Sequence, residues 1–269
     1  MKNLMTAAAG IVLAAGVASA QVKFLTSDGS TLYRTDGIFT ESFDMMGAHT
    51  IGMTVVPAGM SITGATAGDV IAIDDQRNAQ GRYNVYRVDN AYTGTPTLIT
   101  IGESNRVSNS LVFAGGNLYG ANGLNQQFRI HELSLVDFLG SNDVASGFSV
   151  LGVGGLAFDG SGFFFTDNGS NSLYGYDLGT NTVTTLGNSG VSFFNQGLEY
   201  FQGQLWGAVQ IAGGNLVIGT WNTTNGAFTQ VYDVAPHVQS VTGFVAIIPA
   251  PGSLGLLAVG GMIALRRRR

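Results

Sequence analysis

The chain contains no cysteine in 269 residues. Disulfides and thiolate metal sites are therefore excluded, and stability has to come from packing and backbone ladders. Proline is scarce at five residues and charged side chains make up only 11%. The three histidines, His49, His131 and His237, stand far apart with no metal-ligand spacing. Each is expected to be structural, so no metal and no cofactor is expected. No Gly-x-Ser-x-Gly occurs, and Gly152-Val-Gly-Gly155 lacks the spacing and following helix of a dinucleotide loop. Positive charge is sparse in the middle of the chain. Between residues 21 and 248 stand 7 Lys/Arg against 17 Asp/Glu, a net charge of −10. Nucleic acid is excluded as a partner, because its binding rests on neutralising phosphates.

What is present is 45% hydrophobic residues and 40 glycines, the composition of a folded chain and not of a disordered one. The apolar runs sit at the two ends. Lys2, the stretch from Leu4 to Val17 and the small-x-small pattern Ala18-Ser19-Ala20 read as a secretory signal peptide over residues 1–20, cleaved after Ala20. At the other end Pro249-Ala250-Pro251 precedes a Gly/Leu/Ala-rich run and the block Arg266, Arg267, Arg268 and Arg269. As a helix, Gly252 to Leu265 would be roughly 21 Å long, short for a hydrocarbon core of about 30 Å. Snorkelling arginine stems and local thinning allow such a run to anchor, and the arginines hold its end in the cytoplasm.

This tail resembles the PEP-CTERM sorting signal of bacterial envelope proteins. The resemblance covers Ile248 to Arg269, and Ala250 stands where that family usually has Glu. It implies recognition of Pro249, Ala250 and Pro251 by an exosortase-like membrane enzyme, after export and cleavage by signal peptidase. A plain C-terminal anchor is the alternative. Both place residues 21–248 outside the cytoplasm, at the cell envelope or surface.

Residues 21–248 repeat. Ser110-Leu-Val-Phe113, Gly155-Leu-Ala-Phe158, Gly197-Leu-Glu-Tyr200 and Gly243-Phe-Val-Ala246 align. The first three lead into Gly115-Gly-Asn-Leu-Tyr-Gly120, Gly160-Ser-Gly-Phe-Phe-Phe165 and Gln202-Gly-Gln-Leu-Trp-Gly207, each a tight turn and a bulky pair. The next strands begin at Phe128, Leu173 and Leu216, 45 and 43 residues apart. Alternating side chains, β-branched residues and Gly/Asn turns mark these segments as strands. A four-strand unit at this period predicts an all-β fold, and the pattern is similar to β-propeller repeat proteins in general. Blades are expected near 51–103, 107–150, 153–188 and 196–235. A fifth combines Val241–Ile247 with Lys23–Thr26, Leu32–Thr35 and Phe39–Phe43. Thr50 to Ala67 reads as irregular, and Asp74 to Gly81 as a long loop. An open two-sheet sandwich is the competing architecture. A cleaved signal helix and a C-terminal hydrophobic helix are expected outside the body.

The candidate site residues are oxygen-bearing. Asp167, Asn168 and Asn171, together with Asp159 and Asp177, fall in the best-formed repeat. The loop 167–171 could offer oxygens to calcium, although such residues ordinarily cap turns. Glu199 replaces a small or apolar residue on an expected inner strand and could line a central channel. The aromatic residues Tyr119, Phe164, Phe165, Tyr174, Tyr176, Trp206 and Trp221 are expected to fill space between blades. The resulting expectation is a secreted, non-catalytic binding or structural module, whose partner is an extracellular polysaccharide or protein. The rival is an extracellular carbohydrate-active enzyme, a hydrolase or lyase, which as a glycosidase needs a pair of carboxylates.

Overall fold

The first and last strands of the body pair with each other. The computed structural model describes residues 22–247 except 46, 125–126, 150–151, 212, 236–240 and 242. The expected signal segment 1–20 and the tail 249–269 lie outside the described residues. Strands β1 (Lys23–Ser27), β2 (Thr31–Thr35) and β3 (Thr40–Asp44) form an antiparallel meander. The next sheet contains β4 (Thr50–Val55), a two-residue hairpin β5 (Ser61–Ile62) and β6 (Ala65–Thr66) inserted after it, then β7 (Val70–Arg77), β8 (Tyr83–Asp89) and β9 (Thr97–Ser104). Two further sheets are β10 (Ser110–Ala114) to β13 (Gly140–Ser149), with β11 (Asn117–Leu124) and β12 (Gln127–Leu133), and β14 (Val153–Phe158) to β17 (Thr182–Asn188), with β15 (Phe163–Asp167) and β16 (Ser172–Asp177). Then come β18 (Phe193–Phe201), β19 (Gln204–Ile211), β20 (Leu216–Trp221), β21 (Phe228–Ala235) and the closing strand β22 (Gly243–Ile247).

These strands make five four-stranded sheets, in the orders β22-β1-β2-β3, β4-β7-β8-β9, β10-β11-β12-β13, β14-β15-β16-β17 and β18-β19-β20-β21. We number these sheets blades one to five. The β1–β22 pairing places Leu25 opposite Val245, so blade one is built from both ends of the body. Inner strands β4, β10, β14, β18 and β22 neighbour one another in a closed ring. This is a five-bladed β-propeller arrangement, the closed alternative to the sandwich.

A ring of only five blades brings its inner strands close together, and the aligned first position of the repeat explains how. Gly155 packs on the Leu198 backbone and Gly197 on Phe244. Gly243 packs on Met53 and Gly52 on the Ser108–Ser110 backbone. In each case a Cβ would stand inside the neighbour's van der Waals surface. In blade three the position holds Ser110 instead. Its Oγ accepts a hydrogen bond from the Leu156 amide of the next inner strand at 2.8 Å.

The core is five separate clusters, each shared by two adjacent blades. Leu25, Met53, Val70 and Val245 join blades one and two, and Ile71, Ile73, Leu111 and Leu118 join two and three. Phe128, Ile130, Leu156 and Phe165 join three and four, Leu173, Leu198, Val217 and Trp221 join four and five, and Phe24, Leu216, Ile218 and Phe244 close the ring. The stacked pair Phe128–Phe165, 3.8 Å between centroids, spans one such seam. Arg34, buried in blade one, clamps the β8–β9 loop of blade two. Its guanidinium donates to the carbonyls of Asn90, Ala91 and Gly94 at 2.8–3.3 Å and to Glu41 at 2.7 Å.

Two expectations are corrected. Asp74 to Gly81 is not one loop: β7 continues to Arg77, and only Asn78 to Arg82 turns. The strand survives its polar sequence because Asp74 turns inward, accepting from the Gln76 amide and the Tyr86 hydroxyl. A bulge between Ile73 and Arg77 absorbs the irregularity. Thr50 to Ala67 is likewise ordered, as β4 and the small hairpin, and Gly52-Met-Thr-Val55 is the blade-two copy of the inner-strand repeat.

Candidate functional site

The inner strands surround an axial cavity of about 160 Å³. Every blade contributes to its lining: Met53, Thr54 and Val55 from β4, Val112 and Phe113 from β10, Leu156 and Phe158 from β14, Leu198, Glu199 and Tyr200 from β18, and Phe244 from β22. The aligned aromatic residues Phe113, Phe158 and Tyr200 border this lining, and each also packs against an inter-blade cluster. Glu199 is the one Asp or Glu among the described lining residues.

Glu199 is a partly buried carboxyl group on the inner strand β18. One oxygen, Oε2, accepts a hydrogen bond from the Ala246 amide of the closing strand. No residue of opposite charge is among the described lining residues, and burial dominates, pushing its pKa up to about 8 against a smaller lowering by the Ala246 bond. At neutral pH the group is mainly protonated. The Tyr92 hydroxyl, bonded to the Gly68 carbonyl at 2.5 Å, is raised by burial first, and by the negative charges of Asp69 and Glu199.

The other oxygen-bearing candidates lie in blade four and its turns. Asp167 ends β15 and accepts from the amides of Gly152, Gly169 and Ser170. The backbone N–H of Asn168 donates to the Gly152 carbonyl. Asn171 adopts a left-handed φ of 52° and accepts from the Phe193 amide, tying blade four to the start of β18. Asp159 and Asp177 each accept from backbone amides two and three residues on, the Asx-turn pattern. These residues therefore sit in a different blade from Glu199. Among the described residues no group of three or more His, Asp or Glu is placed to hold a metal ion. The expected sorting residues Pro249, Ala250, Pro251 and Arg266 to Arg269, and the expected cleavage residues Ala18 and Ala20, lie outside the described residues.

A polar pair within blade three was not visible in the sequence. Ser108 Oγ stands 2.9 Å from His131 Nε2, and both residues are fully buried. Burial, then the Arg106 charge, lowers the His131 pKa to about 4, so the ring is neutral. Gly120, opposite His131 in β11, leaves the space that both side chains occupy. The pair has no access to solvent and is a core element. The single sequence signal for it was a glycine in mid-strand. Most of the candidate aromatic residues pack between blades, with Tyr119, Phe165, Tyr176 and Trp221 buried and Phe164, Tyr174 and Trp206 partly so.

No protein-family model and no curated protein sequence matches the chain. Solved structures do. A chain of the crystal structure of a nidogen/laminin complex superposes with a TM-score of 0.56 at 11% identity, over 84% of this chain and 98% of that one. TolB from Acinetobacter baumannii gives a TM-score of 0.49 at 17% identity, over 80% of this chain and 53% of that one. The chain thus spans about half the length of that TolB. At such identities the nidogen/laminin likeness speaks to the fold alone, and it agrees with the ring described above: the chain carries a β-propeller-like body.

Proposed function

We propose that this protein is a secreted, envelope-sorted binding or structural module, non-catalytic, with the propeller as its working domain. The observation that carries the reading is the position of the ring closure. The paired strands run from Lys23 and to Ile247, so the signal-like segment 1–20 and the Pro249-to-Arg269 tail are not needed to complete the sheets. That leaves both segments available as sorting devices. Signal peptidase would cut after Ala20. An exosortase-like enzyme would act at Pro249-Ala250-Pro251, or the apolar run would stay as an anchor. The partner at the propeller would be an extracellular polysaccharide or protein. Fractionation of the full-length protein in a host possessing the sorting machinery tests the localisation, and a glycan array tests the ligand class. Full-length, unprocessed protein in the cytosol would overturn the sorting reading.

The enzyme alternative has one observation in its favour. A carboxyl group with a pKa near 8 in a cavity is the form suited to a general acid. A glycosidase needs a second carboxylate within about 5–10 Å, and the described cavity lining supplies only Glu199. A hydrolase screen comparing the parent with Glu199→Gln decides it: a polysaccharide-cleaving activity abolished by the substitution would establish the enzyme.

A further inference from the structure

One face of the ring collects both ends of the body and its most exposed apolar side chains. At that edge β22 ends with Ile247 paired to Lys23, and the edge continues through the Phe24–Thr35 pair to the turn between β2 and β3. That turn, Asp36 to Phe39, presents Ile38 and Phe39, each 74% exposed. The β12–β13 turn of blade three lies on the same face. Every blade repeats the strand order, and the Thr63 hydroxyl, in the connection after inner strand β4, donates to the Val136 carbonyl at 2.6 Å. Val136 is 76% exposed, and Leu178 in the corresponding turn of blade four is 38% exposed. Ile38, Phe39 and Val136 are the most exposed large apolar side chains among the described residues. At the opposite end of the blades, the turns at Asp28 to Ser30, Asn78 to Arg82 and Asn168 to Asn171 carry no large apolar side chain.

The apolar tips are not needed to hold their turns. Asp36, Asp137 and Asp177 do that, each accepting from a backbone amide of its own turn. The tips stand on blades one, three and four, separated around the ring. A groove for a peptide needs a continuous apolar lining, whereas separated tips around a ring define a plane and suit a flat, deformable apolar layer. The chain itself brings such a layer close. Only residues 248–251 separate β22 from the apolar run that starts at Gly252, and four residues span at most about 14 Å. If that run enters a bilayer, the face carrying Ile247 is held beside the headgroups.

We propose that this face of the propeller rests on the membrane that receives the tail, with Ile38, Phe39 and Val136 inserted at the headgroup boundary and Leu178 at its margin. The inference rests on the sorting reading, in the form that retains the tail. The surface it fits is a zwitterionic bilayer, because Asp36, Asp137 and Asp177 flank the tips and repel an anionic one.

A chain without cysteine can be labelled at single chosen positions. Phe39→Cys, Val136→Cys and, on the opposite face, the exposed Ser30→Cys are each spin-labelled in the full-length protein and reconstituted into phosphatidylcholine vesicles. Electron paramagnetic resonance then compares relaxation by oxygen, which concentrates in lipid, with relaxation by a water-soluble nickel chelate. Positions 39 and 136 should lose access to the chelate severalfold on reconstitution, and position 30 should keep it. Ile38→Ser combined with Phe39→Ser should return position 136 to the access of position 30, which separates apolar insertion from tethering alone. Phosphatidylglycerol added to the vesicles should weaken the protection at low salt. Equal chelate access at all three positions, in protein that floats with the vesicles, overturns the proposal and leaves the sorting reading standing. Protection of positions 39 and 136 without lipid overturns it in favour of a second copy on this face. Protection that survives the double Ser substitution, or that requires phosphatidylglycerol, overturns it as well. Protein that does not float with the vesicles at all sinks the inference together with the anchor reading.

Discussion

Glu199 of blade five accepts a hydrogen bond from the backbone amide of Ala246 in blade one. The bond joins the last complete blade to the strand that closes the ring, and it does so with a carboxyl group held largely protonated. A group whose pKa is raised from 4.5 to about 8 on folding gives stability that is present at low pH and lost as pH rises through about 8. The melting temperature is therefore expected to fall between about pH 6.5 and 8, above the range in which His131 opposes this slope. Glu199→Gln should flatten that slope. A parent whose alkaline slope matches that of the Gln variant would show that the carboxyl is not held protonated.

His131 works in the opposite sense. Its pKa is lowered from 6.5 to about 4, so the unfolded chain takes up a proton that the folded chain refuses. Its contribution is present above about pH 6.5 and is lost as pH falls toward 4, on the order of 3 kcal/mol in all. With Glu199→Gln removing the opposing slope, denaturant melts between about pH 4 and 6.5 should show stability rising with pH. His131→Gln should remove most of that dependence, at the cost of lower stability at pH 7 because Ser108 loses its partner.

The inner-strand glycines make a sharper prediction. A Cβ on Gly197 would press on the Phe244 backbone and Cβ, neither of which can swing away. Gly197→Ala should cost about 1–3 kcal/mol or more, as overpacking does. Gly175→Ala is the control, since its new Cβ would meet the Leu186 side chain at an ordinary 3.7 Å. Urea midpoints of the two variants decide it: equal midpoints would mean that the ring is looser than described.

Phe165 is fully buried between Phe128 of blade three and Tyr174 of its own blade. Phe165→Ala should cost about 3–5 kcal/mol, and Phe165→Leu distinctly less. Chemical denaturation measures both. A loss below about 1 kcal/mol for the alanine variant would show that the seam between blades three and four carries little of the stability.

The repeat was legible where the inner-strand copy kept its Leu and aromatic residues, in Ser110–Phe113, Gly155–Phe158 and Gly197–Tyr200. Gly243–Ala246 revealed the closure even without the aromatic, because it ends the body with one strand of a blade. Blade two hid its copy. Gly52-Met-Thr-Val55 has neither the Leu nor the aromatic, and the β5–β6 hairpin lengthens the path to the next strand. The Asp74 stretch read as a loop because a polar run hides a strand when its charge is bonded inward, here to Tyr86. Glu199 stood out as a carboxylate in an apolar slot. The Ser108–His131 pair did not, since pairing across 23 residues of chain is a product of register.

The tail makes a prediction separate from the fold. On the sorting proposal Arg266–Arg269 fix orientation from the cytoplasmic side, and replacing them by Ser or Gln would remove that charge. Membrane retention or processing should be lost, while far-UV circular dichroism keeps its β signature. Truncation before Pro249 should give a soluble, folded, secreted body, and an insoluble or unfolded product would place the tail in the core.

The central claim is that a propeller closed by its own termini is carried to the cell envelope by segments outside the ring. Its most direct test is to express the parent in a host with the sorting machinery, separate cytosol, membrane and surface fractions, and read the mature N-terminus by mass spectrometry. The account predicts protein at the envelope, beginning at Gln21. Unprocessed protein beginning at Met1 and confined to the cytosol would contradict it.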